Sequence, residues 1–149
     1  MQQGLARRTF RSRVGGGILY GKLADHYDGT YRFKDYAKEA REVIRLASRY
    51  LGRRPRSLLD VGCGTGTHLA EFRKKLSVAG VDLSPDMLRV ARRRLGKSVR
   101  LVRGDMRHFS LDARFDVVTC LFSAIGYMQT RQDRDLAITN FFRHLNSGG

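Results

Sequence analysis

The chain has 149 residues, of which 42% are hydrophobic and 29% are charged, so it suits one folded domain and is too apolar for a disordered polymer. Its 29 lysines and arginines outnumber its 14 acidic residues, and the formal net charge of +15 favours anionic ligands or partners. Two cysteines and no apolar run near ~20 residues exclude a disulfide framework and a membrane span. The predicted location is therefore the cytoplasm.

The first 33 residues are predicted to form a basic N-terminal arm, and residues 34–149 the folded domain. Residues 1–24 contain no acid and carry the cations Arg7, Arg8, Arg11, Arg13 and Lys22. A frayed terminus accounts for this composition more simply than an organelle transit peptide does.

The domain is predicted to alternate helices with short strands. Apolar residues recur at helical spacing over 34–51, and Gly52 can end that helix. Four apolar runs then follow at intervals of roughly 20 residues, which is typical of strands in βαβ units: 57–61, 77–82, 99–102 and 115–120. The sequence therefore predicts an α/β fold with a parallel sheet.

One of the intervening helices has clear terminal signals. Ser84 can cap it, Pro85 suits its first turn, and Gly96 can end it. Its outer face carries four arginines, predicted to be a solvated surface: Arg89, Arg92, Arg93 and Arg94.

A glycine-rich turn between the first strand and its helix carries the chemistry. Residues 58–69 read LLDVGCGTGTHL, and glycines there let the backbone turn tightly and approach a ligand closely. Asp82 ends the next strand, where a carboxylate can accept hydrogen bonds from both ribose hydroxyls of an adenosine. The third glycine is Gly66 rather than residue 67, so the spacing departs from the dinucleotide fingerprint.

These motifs, in this order, resemble the class I S-adenosylmethionine (SAM) methyltransferases: DVGCGTG at 60–66, GVDLSPDML at 80–88 and GDM at 104–106. The resemblance runs from about residue 56 to the end and implies a Rossmann-like methyltransferase fold with SAM as the cofactor. It also implies these cofactor-site residues: Asp60, Gly62, Cys63, Gly64, Gly66, Asp82, Leu83, Met87, Gly104, Asp105 and Met106. Asp60 would orient the glycine turn or reach the methionyl amine through water, and a purely structural role is equally open. For His68, a surface or capping side chain is the favoured interpretation.

Two further segments are similar to small-molecule N-methyltransferases, including the nucleotide-sugar N,N-dimethyltransferases: YDGTY at 27–31 and FSAIGYM at 122–128. The resemblance implies that Tyr27 and Tyr31 belong to a lid over the cofactor, that Phe122 contacts the cofactor, and that Tyr127 faces an amine acceptor. Spacing alone leaves the N-terminal tyrosines equally open as core aromatics.

The implied function is methyl transfer from SAM to a small-molecule acceptor, an amine nitrogen, by in-line displacement. Such chemistry needs positioning more than a strong base. No metal is predicted, because the four histidines have no metal-ligand spacing. An anionic acceptor such as a nucleotide-linked sugar would exploit the net charge.

Two alternatives stay open. The basic surface, including Arg53, Arg54 and Arg56, suits RNA or another polyanion as the acceptor. The chain also ends at a sequence typical of the turn before the family's fifth strand, so the C-terminal strands are expected to be missing. It could then be a non-catalytic SAM-binding fragment or interaction module, with an exposed apolar face that favours association, for example as a homodimer.

Overall fold

The structure is a computed structural model that describes residues 34–149. The predicted N-terminal arm, with Tyr27 and Tyr31, lies outside the described residues.

Helix α1, Tyr36–Leu51, leads into the sheet. Asp35 caps it, because its side chain accepts a hydrogen bond from the Lys38 backbone N–H at 2.8 Å. Gly52 ends it with a left-handed φ of 64°, a conformation that glycine adopts without a steric penalty. The predicted helix 34–51 is thus confirmed, with a start two residues later.

Four parallel strands form one sheet in the order β3-β2-β1-β4. The strands are β1, Ser57–Val61; β2, Ser77–Asp82; β3, Arg100–Arg103; and β4, Val117–Thr119. The helices between and after them are α2, Thr67–Phe72; α3, Pro85–Leu95; a 3-10 helix, Ala124–Tyr127; and α4, Arg131–Arg143. All three strand pairings are parallel, as the βαβ spacing predicts.

Apolar layers cover both faces of the sheet. Leu58 belongs to a buried cluster with Leu69, Phe72 and Leu95, which come from α2 and α3. Its neighbour Leu59 belongs to a second buried cluster on the opposite face, with the following members: Val61, Ala79, Val81, Phe109, Leu111 and Phe115. Each strand therefore contributes alternate side chains to two cores.

The fourth strand is shorter than the predicted run 115–120. The Asp116 backbone N–H donates to Ser57 Oγ at 3.0 Å, and the Phe115 N–H donates to the His144 carbonyl at 2.8 Å. These bonds take both donors out of the β1–β4 ladder, so the strand begins at Val117. Phe115 instead forms an isolated bridge with Leu145.

No helix within residues 34–149 combines the length and apolar character that crossing a membrane requires.

Candidate functional site

The loops that follow the four strands gather at one edge of the sheet. Gly62 and Cys63 of the glycine turn both donate backbone N–H groups to the Val81 carbonyl, at 2.7 and 3.0 Å. The Gly104 N–H donates to the Asp82 carbonyl at 3.0 Å. The predicted turn, the end of β2 and the loop after β3 are therefore joined, at the edge where open α/β sheets bind ligands.

Gly64 is the open point of the glycine turn. Gly62, Gly64 and Gly66 all have positive φ values, of 75°, 54° and 77°. A Cβ at Gly62 would lie 2.8 Å from the Ala124 Cβ, and one at Gly66 would lie 2.8 Å from a Leu95 methyl group. At Gly64, no heavy atom within 4 Å would meet a Cβ, so a ligand can approach its backbone closely.

The carboxylate of Asp82 links the glycine turn to helix α3. One oxygen accepts the Gly64 N–H at 2.8 Å, and the other accepts the Ser84 N–H at 2.8 Å. A carboxylate has about four acceptor positions, so these two bonds leave room for a ligand. Burial raises the pKa of Asp82, while the backbone N–H groups of Ser84, Gly64 and Leu83 oppose that rise.

Asp60 lies buried beneath the turn, with 2% of its surface exposed. Thr119 at the end of β4 donates its hydroxyl to Asp60 Oδ1 at 2.8 Å. Burial raises the pKa of Asp60 to about 7, against the hydrogen bond from Thr119, and the neighbouring negative charge of Asp82 adds to the rise. This buried bond joins the side chains of two adjacent strands, and it fits both the orienting role and the structural role predicted for Asp60.

Cys63 contributes its backbone to the turn and its side chain to the core. The thiol is buried within the cluster that contains Leu58 and Leu69. Burial raises its pKa well above the usual range, and the carboxylates Asp60 and Asp82 raise it further. A neutral, buried thiol is a poor nucleophile, so its chemistry is confined to packing.

The family resemblance implies that Met87, Asp105 and Met106 surround the adenine of the cofactor, and these residues lie on α3 and in the loop after β3, beside Leu83 at the end of β2. Leu83 is exposed by 55%, whereas Met87 on α3 is buried. Met106 packs against the core cluster of Leu59. The Asp105 carboxylate is held by Arg107, which donates to both of its oxygens.

The segment after β4 lies over the same edge. Phe122 and Ser123 have positive φ values of 55° and 60°, which only a few per cent of non-glycine residues adopt. The Lys34 ammonium lies 3.8 Å from the centre of the Phe122 ring. Tyr127 is 44% exposed and ends the 3-10 helix, whose Ala124 packs against Gly62.

His68 is not the surface side chain that the sequence favours. It is 8% exposed, and its Nε2 lies 2.7 Å from the Glu39 carboxylate of α1. Its ring meets Tyr36 edge-on with centroids 4.8 Å apart. Burial lowers its pKa, so the neutral ring donates to Glu39 at neutral pH and ties α2 to α1.

The four arginines on α3 are exposed, as predicted for a solvated surface, and two of them also bind backbone carbonyls. Arg94 donates to the Thr65 carbonyl within the glycine turn and to Thr67 Oγ1 at 3.1 Å. Arg92 donates to the carbonyls of Val99 at 2.7 Å and Leu101 at 3.2 Å. Both therefore fix loops by binding backbone carbonyls that helix α3 approaches.

Sequence reasoning missed Thr119, Arg107 and Arg94 as neighbours of the site. Thr119 had no local signal, because it meets Asp60 through the β1–β4 register, which exists only once the two strands pair. Arg107 follows the predicted Asp105 by two residues, a spacing that allows a turn-type side-chain contact. Within residues 34–149, no group of three or more His, Cys, Asp or Glu side chains is arranged to hold a metal ion.

Comparison with known proteins adds family relationships. A family model described as a methyltransferase domain matches residues 58–149. A dTDP-3-amino-3,4,6-trideoxy-alpha-D-glucopyranose N,N-dimethyltransferase from Streptomyces venezuelae is 46% identical over 131 residues. That match covers 85% of this chain and 54% of the relative, so the chain spans about half the length of this relative.

Two solved structures share the architecture. The crystal structure of Streptomyces venezuelae DesVI aligns with a TM-score of 0.80 and 45% identity, over 85% of this chain and 54% of that one. The SAM-bound structure of CalS10, an amino pentose methyltransferase from Micromonospora echinaspora, aligns with a TM-score of 0.76 and 41% identity. It covers 80% of this chain and 51% of its own. These likenesses confirm the predicted Rossmann-like methyltransferase fold.

Proposed function

The chain belongs to the SAM-dependent methyltransferase family, and from that premise we propose that it binds SAM and transfers the methyl group to an amine nitrogen of a small-molecule acceptor. One observation carries the proposal: the open backbone of Gly64 and the Asp82 carboxylate are joined by a 2.8 Å hydrogen bond at the carboxyl edge of the sheet.

The residues at this edge fit the cofactor. Asp82 keeps acceptor positions on its carboxylate that suit the hydroxyls of a ribose. The space beside Gly64 that a Cβ would fill gives room for the methionine part against the backbone. Leu83, exposed by 55%, offers an apolar surface to the adenine.

When bound, SAM supplies a methyl group on a positively charged sulfur, which makes a strong base unnecessary. The task of the chain is then to hold the cofactor, to orient the acceptor and to exclude water. Asp82 and the glycine turn would hold the nucleoside, and buried Asp60 with Thr119 would keep the turn rigid.

Tyr127 is the residue we propose to orient the acceptor nitrogen. Its exposure of 44% leaves the side chain accessible, and the 3-10 helix that carries it packs against the glycine turn through Ala124. The lid role of Tyr27 and Tyr31 remains part of the proposal and rests on the family resemblance.

The acceptor class we propose is a nucleotide-linked amino sugar. The relative at 46% identity is named for its action on a dTDP-amino sugar, and CalS10 is described as an amino pentose methyltransferase. The net charge of +15 would attract the diphosphate of such an acceptor.

Calorimetric titration of the 149-residue chain with S-adenosylhomocysteine tests the cofactor site, with NADH titrated in parallel. We expect saturable binding of S-adenosylhomocysteine alone. Asp82→Asn should weaken it roughly 10- to 100-fold, because hydrogen bonds to a charged group are lost. Asp112→Asn, at an exposed position, is the matched control. Absence of S-adenosylhomocysteine binding by the unmodified chain would overturn the proposal.

The same preparation tests the acceptor. Incubation with SAM and a dTDP-amino sugar, followed by mass spectrometry, should reveal methylated sugar. Tyr127→Phe should slow turnover while leaving the affinity for S-adenosylhomocysteine unchanged, because the phenol is proposed to contact the acceptor and not the cofactor. Equal loss of both would move Tyr127 into the cofactor site, and cofactor binding without transfer would favour a non-catalytic SAM-binding module.

A further inference from the structure

The loop after β3 holds an unusually complete ion pair. Arg107 donates from Nε to Asp105 Oδ1 at 2.9 Å and from Nη2 to Oδ2 at 2.6 Å. The backbone N–H of Arg107 donates to Oδ1 as well, at 2.9 Å. Both side chains are about three-quarters buried, so solvent competes little with these bonds.

The same guanidinium is anchored to helix α4. Its Nη1 donates to Asp133 Oδ1 at 2.6 Å. Asp133 is itself fixed in the first helical turn, because its N–H donates to Thr130 Oγ1 at 3.0 Å and its other oxygen accepts the Thr130 hydroxyl at 2.9 Å. Arg107 therefore cannot swing away from Asp105 without breaking a second ion pair.

Counting acceptor positions shows what this arrangement leaves open. Of the four or so positions on the Asp105 carboxylate, Arg107 fills three, two on Oδ1 and one on Oδ2. The hydrogen bond from Arg107 also lowers the pKa of Asp105, so the group stays ionised and can only accept. One acceptor position, on Oδ2, remains.

We propose that Arg107 is a positioning residue that aims this last acceptor position of Asp105 at the exocyclic amino group of the cofactor's adenine. The inference rests on the proposed function, with Asp105 at the adenine as the family resemblance implies. Arg107 would thereby set the preference for adenine over a purine that carries a carbonyl at the same position, because a fixed carboxylate oxygen accepts from an amino group and repels a carbonyl.

The planar fork of arginine is what the arrangement requires. A lysine at position 107 would keep the positive charge, but its ammonium cannot hold both carboxylate oxygens and Asp133 in one plane. Arg107→Lys therefore removes the fixed orientation of the Asp105 carboxylate while preserving the positive charge. The variant separates the effect of orientation from the effect of charge.

The test compares two ligands by calorimetry on the 149-residue chain: S-adenosylhomocysteine and S-inosylhomocysteine, in which a carbonyl replaces the adenine amino group. The unmodified chain should prefer the adenine ligand. Arg107→Lys should lower that preference by roughly 3- to 10-fold, through weaker binding of the adenine ligand alone. Arg100→Lys, at an exposed arginine that begins β3, should leave the preference unchanged.

The outcomes are distinct. Equal weakening of both ligands by Arg107→Lys, or an unchanged preference, would mean that Arg107 only stabilises the loop, and the inference would be wrong while the proposed function stands. Failure of the unmodified chain to bind S-adenosylhomocysteine would overturn both. In an Asp105→Asn background, Arg107→Lys should no longer alter the preference, and a persistent effect there would also contradict the inference.

Discussion

Asp60 is a buried residue whose titration changes the stability of the folded state. Its pKa is raised by burial to about 7, whereas an aspartate in an unfolded chain titrates near ~4. Between these values the folded chain holds a proton that the unfolded chain has lost. The Asp60 contribution to the free energy of unfolding therefore falls as the pH rises from about 4 to about 7.

Asp60→Asn should remove this pH dependence, because the amide keeps an oxygen that can accept the Thr119 hydroxyl and has no proton to lose. The stability of the variant relative to the unmodified chain should rise between pH ~5 and pH ~8 by on the order of 2 kcal/mol. Urea unfolding of both chains at the two pH values measures this difference. Any constant cost of burying the amide cancels in the comparison.

Asp112→Asn provides the control for that measurement, since it makes the same substitution at an exposed position. If the gap between Asp60→Asn and the unmodified chain were the same at both pH values, Asp60 would titrate normally in the folded state. That result would contradict the buried position of Asp60 beneath the glycine turn.

The residues of the site were predictable to the extent that their roles are local. Glycine at 62, 64 and 66 follows from backbone conformation, which the turn itself determines. The partner of Asp60 was not predicted, because Thr119 reaches it only after distant segments pack together, and the same is true of Asp133, which accepts from Arg107. His68 was misjudged for the same reason, since its partner Glu39 lies on another helix.

Helix α3 shows the same difference between local features, which the sequence predicts, and long-range contacts, which it does not. Its ends were predicted in full: Ser84 caps the helix by accepting the Met87 N–H at 3.3 Å, Pro85 starts it, and Gly96 ends it with φ 69°. These signals act within one turn of the chain. Its outer face was predicted only by composition, which does not reveal that Arg94 reaches the Thr65 carbonyl.

The Arg94 contact makes helix α3 a support for the glycine turn. We expect Arg94→Gln to weaken binding of S-adenosylhomocysteine by roughly 3- to 10-fold, because the Thr65 carbonyl loses a charged donor and the turn loses an anchor. Calorimetry of the variant measures the loss. The side chain does not need to touch the cofactor for this effect.

Lys97→Gln is the matched control, since it removes one positive charge from an exposed position just beyond the same helix. An equal loss of affinity in both variants would assign the effect to net charge rather than to the anchored turn. Unchanged affinity in Arg94→Gln would show that the turn holds its shape without helix α3.

At the scale of the whole molecule, the parallel sheet and its two apolar layers were predictable because periodicity and strand spacing determine them. The lengths of the strands were less predictable. Asp116 illustrates the reason: its carboxylate accepts from Arg53 at 2.8 Å, from the Arg56 N–H at 2.7 Å and from Asn146 at 3.0 Å. These contacts join three separate segments at the start of β4, and no local pattern encodes them.

Part of the positive charge of the described residues lies away from the proposed cofactor edge. A surface cavity of about 410 Å³ lies near the opposite edge of the sheet, where the strands begin. Ile44 and Ser48 line it together with four cationic residues: Arg41, Arg45, Arg54 and Lys75. Arg45 is paired with Glu42 at 2.7 Å, which reduces the charge there. RNA attracted by this surface would therefore sit far from Asp82 and Gly64.

Salt separates attraction by charge from recognition at the site. We expect single-stranded RNA to bind at ~50 mM NaCl and to lose at least about tenfold in affinity by ~200 mM, because binding to phosphates releases counterions. S-adenosylhomocysteine has no phosphate, and its affinity should change by less than about twofold.

The double variant with Arg54→Gln and Lys75→Gln should lower the salt slope of RNA binding by about 1 to 2 and leave S-adenosylhomocysteine binding unchanged. If RNA stayed bound at ~200 mM NaCl and accepted a methyl group there, the acceptor would be a polyanion rather than the proposed amino sugar.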